Sequence, residues 1–273
     1  MNSAACDNPS KDGGSLGVSG DRSPGEGGRE KTAYLTIDDG PTPSTGRKLD
    51  CLVARKIPAV LFCRGQAMEE DRAAVLDAIK RGFLIGNHSY DHPHFSDLTV
   101  EAACAQIRRT EAIIESLYAE AGVARPAKFF RFPYGDKGAL TFNDVLAQPT
   151  AEGAARKAAI QACLRELGYS LPPLPGVTYP FWRDCLAREV DWYWTYDVRE
   201  WALEATPPEP DLRTPADLWA RMEIVDPARG FGLNSSGSDE VILTHDHAES
   251  DAIFEEIIAR LQAKGLRFAL PPF

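Results

Sequence analysis

Along this chain, short apolar runs alternate with longer stretches whose apolar positions recur every three or four residues, the patterns of strands and amphipathic helices taken in turn. Ala33–Ile37, Ala59–Cys63, Phe83–Gly86, Lys128–Arg131, Asp191–Tyr196, Glu240–Thr244 and Leu266–Leu270 read as strands. Ser44–Arg55, Met68–Arg81, Gly153–Leu167, Pro215–Ile224 and Asp251–Ala263 read as helices between them. Val75, Leu76 and Ile79 share one face of the second helix, and Gly82 supplies its stop. A further helix opens at Thr99, a good N-cap with Glu101 in the first turn, and carries Ala103, Ile107, Thr110, Ile114 and Leu117 at helical spacing. Such alternation predicts a parallel sheet with helices outside it, either a barrel or a doubly wound sheet.

No internal repeat and no linker divide the pattern, so residues 31–273 read as one domain. Residues 1–30 are rich in Gly, Ser, Pro and charge and have almost nothing to bury; they predict a disordered tail. The Pro-rich, aromatic stretch Ser170–Glu189 reads as an insertion, and Thr206–Pro215 and Gly230–Asp239 read as loops.

Composition narrows the function classes. The 273 residues carry a formal net charge of −10, which argues against non-specific binding to nucleic acid or to anionic lipid. No run approaches the roughly 18 to 20 apolar residues that a transmembrane segment needs, and the first thirty residues hold no signal-peptide core. "SAAC", ending at Cys6, looks like the end of a bacterial lipoprotein signal without its apolar part, which makes Cys6 a candidate lipid anchor beside the simpler reading of an arbitrary tail. The six cysteines show no paired spacing and read as buried free thiols, which leaves the compartment open.

The unusual polar residues all follow strands. Asp38 and Asp39 end the first strand, ahead of Gly40; Asp-Gly is ordinary turn chemistry, and alone the pair would mean no more. His88 and His92 follow the third in "NHSYDHPH", Arg131 ends the fourth, Asp197, Glu200 and Trp201 follow the fifth in "YDVREW", and His245 ends the sixth in "ILTHDH". In parallel β/α folds the carboxyl ends of the strands form one rim, and the chemistry gathers there. On a helical turn, His88 and His92 would share a face; with one carboxylate they make the three-ligand set usual for catalytic zinc. His94 and His247 could also bind metal but rank below that pair, as supporting or solvated residues.

In that order, "TIDDGP", "HSYDH", "RFPYG", "DVREW" and "ILTH" resemble the five motifs of the NodB-homology polysaccharide deacetylases (carbohydrate esterase family four), over about Lys31 to Leu270. The resemblance implies an α/β fold, a distorted, incomplete (β/α) barrel, and a metal-dependent hydrolase that removes N-acetyl groups from N-acetylhexosamine units of a carbohydrate, peptidoglycan or chitin-like. It implies Zn2+, or Co2+ or Ni2+, on Asp39, His88 and His92, with Asp38 as base. Arg131 would orient that base and pair with Glu200, and the Tyr134 backbone N–H would serve the oxyanion. Trp201 would shape the sugar groove, Leu243 would lie beside the acetyl methyl, and His245 would be the general acid. A cell-envelope, periplasmic or secreted setting also follows from the resemblance.

Four departures modify it. Ile37 stands where the family has Phe, a buried exchange, and Phe132 where it commonly has Pro, which predicts a less rigid Tyr134 loop. Glu200 is one methylene longer than the usual Asp. The insertion's Tyr179, Phe181 and Trp182 either wall the groove or pack onto the barrel. The competing functions are an O-deacetylase on xylan, a deformylase or amide hydrolase on a small substrate, and a non-catalytic carbohydrate-binding module.

Overall fold

The computed structural model describes residues 30–140, 149–224, 233, 237–248 and 250–273. The expected tail up to residue 29, Cys6 included, lies outside the described residues, as does part of the Gly230–Asp239 loop. Six parallel strands build the wall: β1 Thr32–Asp38, β2 Ala59–Cys63, β3 Leu84–Asn87, β4 Tyr196–Asp197, β5 Glu240–His245 and β6 Arg267–Phe268. They stand in the order β3-β2-β1-β5-β4, and β6 pairs with the start of β1.

Strand parity explains both the core and the site. Side chains alternate across a strand, so β1 sends Ala33, Leu35 and Ile37 outward into the layer shared with the helices, while Tyr34 joins the inner cluster with Val60, Phe62, Leu84, Trp192 and Val241. The inner row of β1 continues through Thr36 to Asp38, and that of β5 through Leu243 to His245, with Asp38 and His245 in register. Each inner row thus runs from apolar to reactive as it reaches the carboxyl end.

The wall does not close with a full strand. Phe130 forms a lone parallel bridge with Asn87, where a strand over Lys128–Arg131 was expected. On its far side Trp192 N donates to Phe130 O at 2.7 Å, and three residues later Thr195 N donates to Val241 O at 2.9 Å. The segment Asp191–Tyr196 therefore serves two neighbours in succession, and only Tyr196–Asp197 pairs as a strand. In between, Tyr193 and Trp194 stack at 4.1 Å. The result is a distorted, incomplete (β/α) barrel.

The outer layer comprises α1 Thr45–Ala54, α2 Gly65–Glu70, α3 Arg72–Lys80, α4 Val100–Ala121, α5 Ala151–Glu166, α6 Pro180–Asp184, α7 Pro215–Met222 and α8 Phe254–Ala263. Thr99 caps α4 by accepting from Ala102 N, and Gly122, at φ 68°, ends it in the left-handed conformation that glycine adopts without cost. The helix expected over Met68–Arg81 is two helices, because Asp71 leaves the helical conformation and caps α3 through Ala74 N. Cys51, Cys63, Cys104 and Cys163 are buried free thiols. Cys185, half-buried at the end of α6, is disulfide-bonded and departs from that expectation.

The insertion lies at the end of the barrel away from the rim. Tyr179 and Trp182 are buried in the inner cluster, and the Tyr179 hydroxyl donates to Glu240 at the start of β5, 2.7 Å away. Of the two roles open to these aromatics, packing onto the barrel is the one realised.

Candidate active site

Asp38 is the last inner residue of β1 and is almost wholly buried. Arg131, at 0% exposure, donates through Nη1 to Asp38 Oδ1 at 2.8 Å and to Thr36 Oγ1 at 2.7 Å, and through Nη2 to Tyr193 O at 3.3 Å. Its guanidinium also lies 4.4 Å from the centre of the Phe62 ring. One carboxylate oxygen of Asp38 is thereby fixed, and the other stands 3.6 Å from His88 Nε2.

Asp39 would face outward if β1 simply continued. Its φ of 75° places it in the left-handed region and turns its carboxylate back over the rim, so both neighbouring carboxylates reach one cavity. His88 and His92 meet it by a similar departure. They lie in an irregular turn rather than the expected helical one, with positive φ at Ser89 and His92. That turn is pinned: Asn87 Oδ1 accepts from Ser89 N, Gln106 Oε1 from Tyr90 N, and Ser89 Oγ from His92 N.

Asp39 Oδ1 lies 3.4 Å from His88 Nε2 and 3.0 Å from His92 Nε2, and the two Nε2 atoms are 3.2 Å apart. Ligands held about 2.0 to 2.1 Å from a tetrahedral ion stand about 3.3 Å from one another. Asp39 Oδ1 is buried with no hydrogen-bond partner among the described residues. His88 Nδ1 lies 2.9 Å from Arg131 O, which can only accept, so that nitrogen carries the proton and Nε2 presents its lone pair. Two imidazole nitrogens and one unpartnered carboxylate oxygen at this spacing fit a divalent metal ion.

Burial opposes charge on Asp39, but the hydrogen bond from His247 and the neighbouring His88 and His92 imidazoles hold its carboxyl well below the usual range. Burial lowers the His92 pKa.

A second cluster, Asp197, Glu200 and His245, sits at the ends of β4 and β5. Glu200 is buried and accepts the His245 backbone N–H, and its carboxylate lies 3.4 Å from His245 Nδ1. Burial disfavours the imidazolium, yet Glu200 and then Asp197 outweigh it and push the His245 pKa up to about 10. The expected Glu200–Arg131 pair is not formed, because the longer Glu side chain meets the imidazole of β5 while Arg131 is occupied by Asp38, Thr36 and Tyr193. Burial raises the Asp197 pKa, opposed by the charge of His245.

Asp38, Asp39, His88, His92, Asp197 and His245 line one cavity of about 710 Å³, together with Tyr134, Trp194, Trp201, Leu243, Arg64 and His247. Tyr134 is 56% exposed at φ 57°, and its backbone N–H makes no hydrogen bond among the described residues. The preceding Phe132 is buried and meets Phe95 and Phe130 edge-on at 4.9 and 4.8 Å, so the loop is wedged in place where a looser one was expected. Trp201 Nε1 donates to Asp197 Oδ2 at a long 3.5 Å. His94 stacks on Tyr134 with ring centres 4.0 Å apart.

Four lining residues have no role in the sequence reading: Asp197, which it places on the rim, Arg64, Trp194 and Glu204. The first two carry the signal used for the others, since Asp197 ends β4 and Arg64 follows β2 directly. Trp194 carries none, because the kink that exposes it to the cavity is a product of barrel closure.

The sequence model of one protein family, described as polysaccharide deacetylase, matches residues 25–151. Peptidoglycan-N-acetylmuramic acid deacetylase PdaC of Bacillus subtilis (strain 168) is 37% identical over 89 residues, 32% of this chain and 19% of that protein. A chitooligosaccharide deacetylase of Rhizobium leguminosarum bv. trifolii is 35% identical over 92 residues, 33% of this chain and 43% of that one. The matched stretches thus span less than half of either relative. Among solved structures, a family 4 carbohydrate esterase from Streptomyces lividans in complex with acetate shares the fold at TM-score 0.56 and 24% identity, covering 88% of this chain and 92% of that one. Motif order and barrel agree with that match, and residues 25–151 match the polysaccharide deacetylase family.

Proposed function

We propose that the chain is a metal-dependent hydrolase that removes N-acetyl groups from N-acetylhexosamine units of a polysaccharide or oligosaccharide, peptidoglycan or chitin-like. The supporting observation is that the Asp39, His88 and His92 donor set opens into one cavity with an Arg131-held carboxylate and a Glu200-held imidazole. Asp39, His88 and His92 would hold a divalent ion, Zn2+ or a similar ion such as Co2+ or Ni2+, which would supply Lewis acidity toward the acetyl carbonyl and the attacking water.

The chain's own residues supply the rest. Asp38 takes the proton of the attacking water through the oxygen that Arg131 leaves free. The Tyr134 N–H, lacking an internal partner, meets the oxygen on which negative charge develops. His245, with its pKa raised to about 10, is protonated at neutral pH and donates to the leaving sugar nitrogen. This transfer matters because an unprotonated amine leaves poorly. Leu243 offers an apolar surface to the acetyl methyl, and Trp201, Tyr134 and Trp194 offer rings to the sugar faces. The names of the relatives also support placing the chain at the cell envelope.

Acetate release from metal-loaded protein tests the reading on peptidoglycan, chitooligosaccharides and acetylxylan. Release from the amide-bearing substrates is expected, with Asp38→Asn retaining the metal and losing about 100-fold or more of the rate. Release from acetylxylan alone would make it an O-deacetylase; saccharide binding with no release from any would make it a binding module.

A further inference from the structure

Every polar atom of Asp39 except one is tied to the chain. Its N donates to Phe62 O on β2 at 3.1 Å. Its carbonyl oxygen accepts from Arg64 Nε at 2.8 Å. Its Oδ2 lies 2.7 Å from His247 Nε2, and an ionised carboxylate only accepts, so the imidazole donates. The remaining atom, Oδ1, is buried, without a hydrogen-bond partner among the described residues, and stands opposite the two histidine nitrogens.

The two side-chain ties come from opposite flanks. Arg64 follows β2, and its backbone N also donates to Gly40 O at 3.0 Å, so it grips the Asp39–Gly40 turn at two points. His247 follows β5. It stands two residues beyond His245, and the two rings lie 5.4 Å apart, with both side chains lining the cavity. Its backbone is held in turn, because the buried Lys48 donates to His247 O at 2.9 Å and to Asp246 Oδ1 at 2.8 Å. Among the described residues Arg64 has no carboxylate partner, and its hydrogen bonds go to the turn itself.

We propose that His247 and Arg64 are positioning residues for the metal centre: together they clamp Asp39, His247 by occupying Oδ2 and Arg64 by fixing the left-handed backbone, so that Asp39 offers a single oxygen, Oδ1, to a divalent cation. The inference rests on the metal-dependent reading above. A ligand held by a hydrogen bond on its second atom loses less freedom when the ion binds, and removing such a partner typically costs 10- to 100-fold in metal affinity. The clamp also counters the cost of a left-handed aspartate, a conformation that non-glycine residues seldom adopt.

The test is the Zn2+ dissociation constant of chelator-stripped protein, measured by competition with a chromophoric chelator. His247→Ala is expected to weaken binding about 10- to 100-fold, and Arg64→Met to weaken it less. His247→Gln, which keeps an N–H donor, is expected to recover part of the loss. The double variant should lose less than the product of the single losses, because both act on one residue, Asp39. The visible spectrum of Co2+-loaded His247→Ala should also shift, since Oδ2 is freed to approach the ion. Circular dichroism of the stripped variants verifies the fold; should His247→Ala fail to fold, His247→Gln and Arg64→Met carry the comparison. Affinities within about twofold of the parent in folded variants, with an unchanged Co2+ spectrum, overturn the clamp alone. A parent protein that takes up no divalent ion overturns the clamp and the metal-dependent reading together.

Discussion

At the scale of single residues, the site is where the backbone carries its strain. Of the seven non-glycine residues with positive φ among those described, five (Asp39, Ser89, His92, Tyr134 and Arg199) lie in the turns that follow barrel strands and line or adjoin the cavity. Each costs about 1 to 3 kcal/mol and persists only where surrounding bonds hold it; Ser89 and His92 show those bonds explicitly. The His245–Glu200 pair gives a prediction at the same scale. Glu200→Gln removes the neighbouring negative charge, so the imidazolium pKa must fall from its value of about 10. The protonated acid is lost as pH rises through that pKa. The alkaline limb of the kcat/KM profile should therefore move to lower pH, by about 1 to 3 units. An unmoved limb would mean that His245 does not donate the proton. Asp38 and Glu200 thus meet different partners: a guanidinium donates to the first, and an imidazole stands beside the second.

At the scale of elements, parity of the strands does the positioning. β1 and β5 deliver Asp38, Leu243 and His245 because their inner rows end at the rim in register. β2 and β3 serve less directly: Phe62 supports the Arg131 guanidinium, and Gly86 leaves room for the Phe62 ring. A methyl group at Gly86 would fall 2.5 Å from Phe62 Cδ1 and 3.3 Å from Phe129 O. Gly86→Ala should cost about 1 to 3 kcal/mol of stability, read as a lower thermal midpoint. It should also lower turnover, since displacing Phe62 disturbs the residue that holds Asp38. A variant that melts and turns over like the parent would show that the ring moves aside freely.

At the scale of the whole molecule, the barrel is closed by the jointed segment Trp192–Asp197, and the insertion fastens the end away from the rim through Glu240 and Asp239. On the proposed metal-dependent reading, scaffold and site are coupled energetically, because an ion that binds only the folded protein adds to its stability. At an ion concentration about 100 times the dissociation constant the gain is about 2.7 kcal/mol, so stripping the metal should lower the melting temperature by roughly 5 to 10 °C. Equal midpoints with and without Zn2+ would sever that link. No helix among the described residues is long and apolar enough to cross a membrane. Read alone, the sequence determined the order of strands and helices, the rim as the place of chemistry, and the spacing of Asp38, Asp39, His88, His92, Arg131 and His245 along it, because hydrophobic periodicity and motif spacing are local properties. The tertiary structure decided which groups touch. It turned Asp39 inward, gave Glu200 to His245 instead of Arg131, sent the insertion's aromatics to the far end of the barrel, and brought His247 against the Asp39 carboxylate and Arg64 against its backbone carbonyl. Those outcomes depend on contacts between residues far apart in the chain and on side-chain lengths measured against a particular cavity, and no local pattern records either.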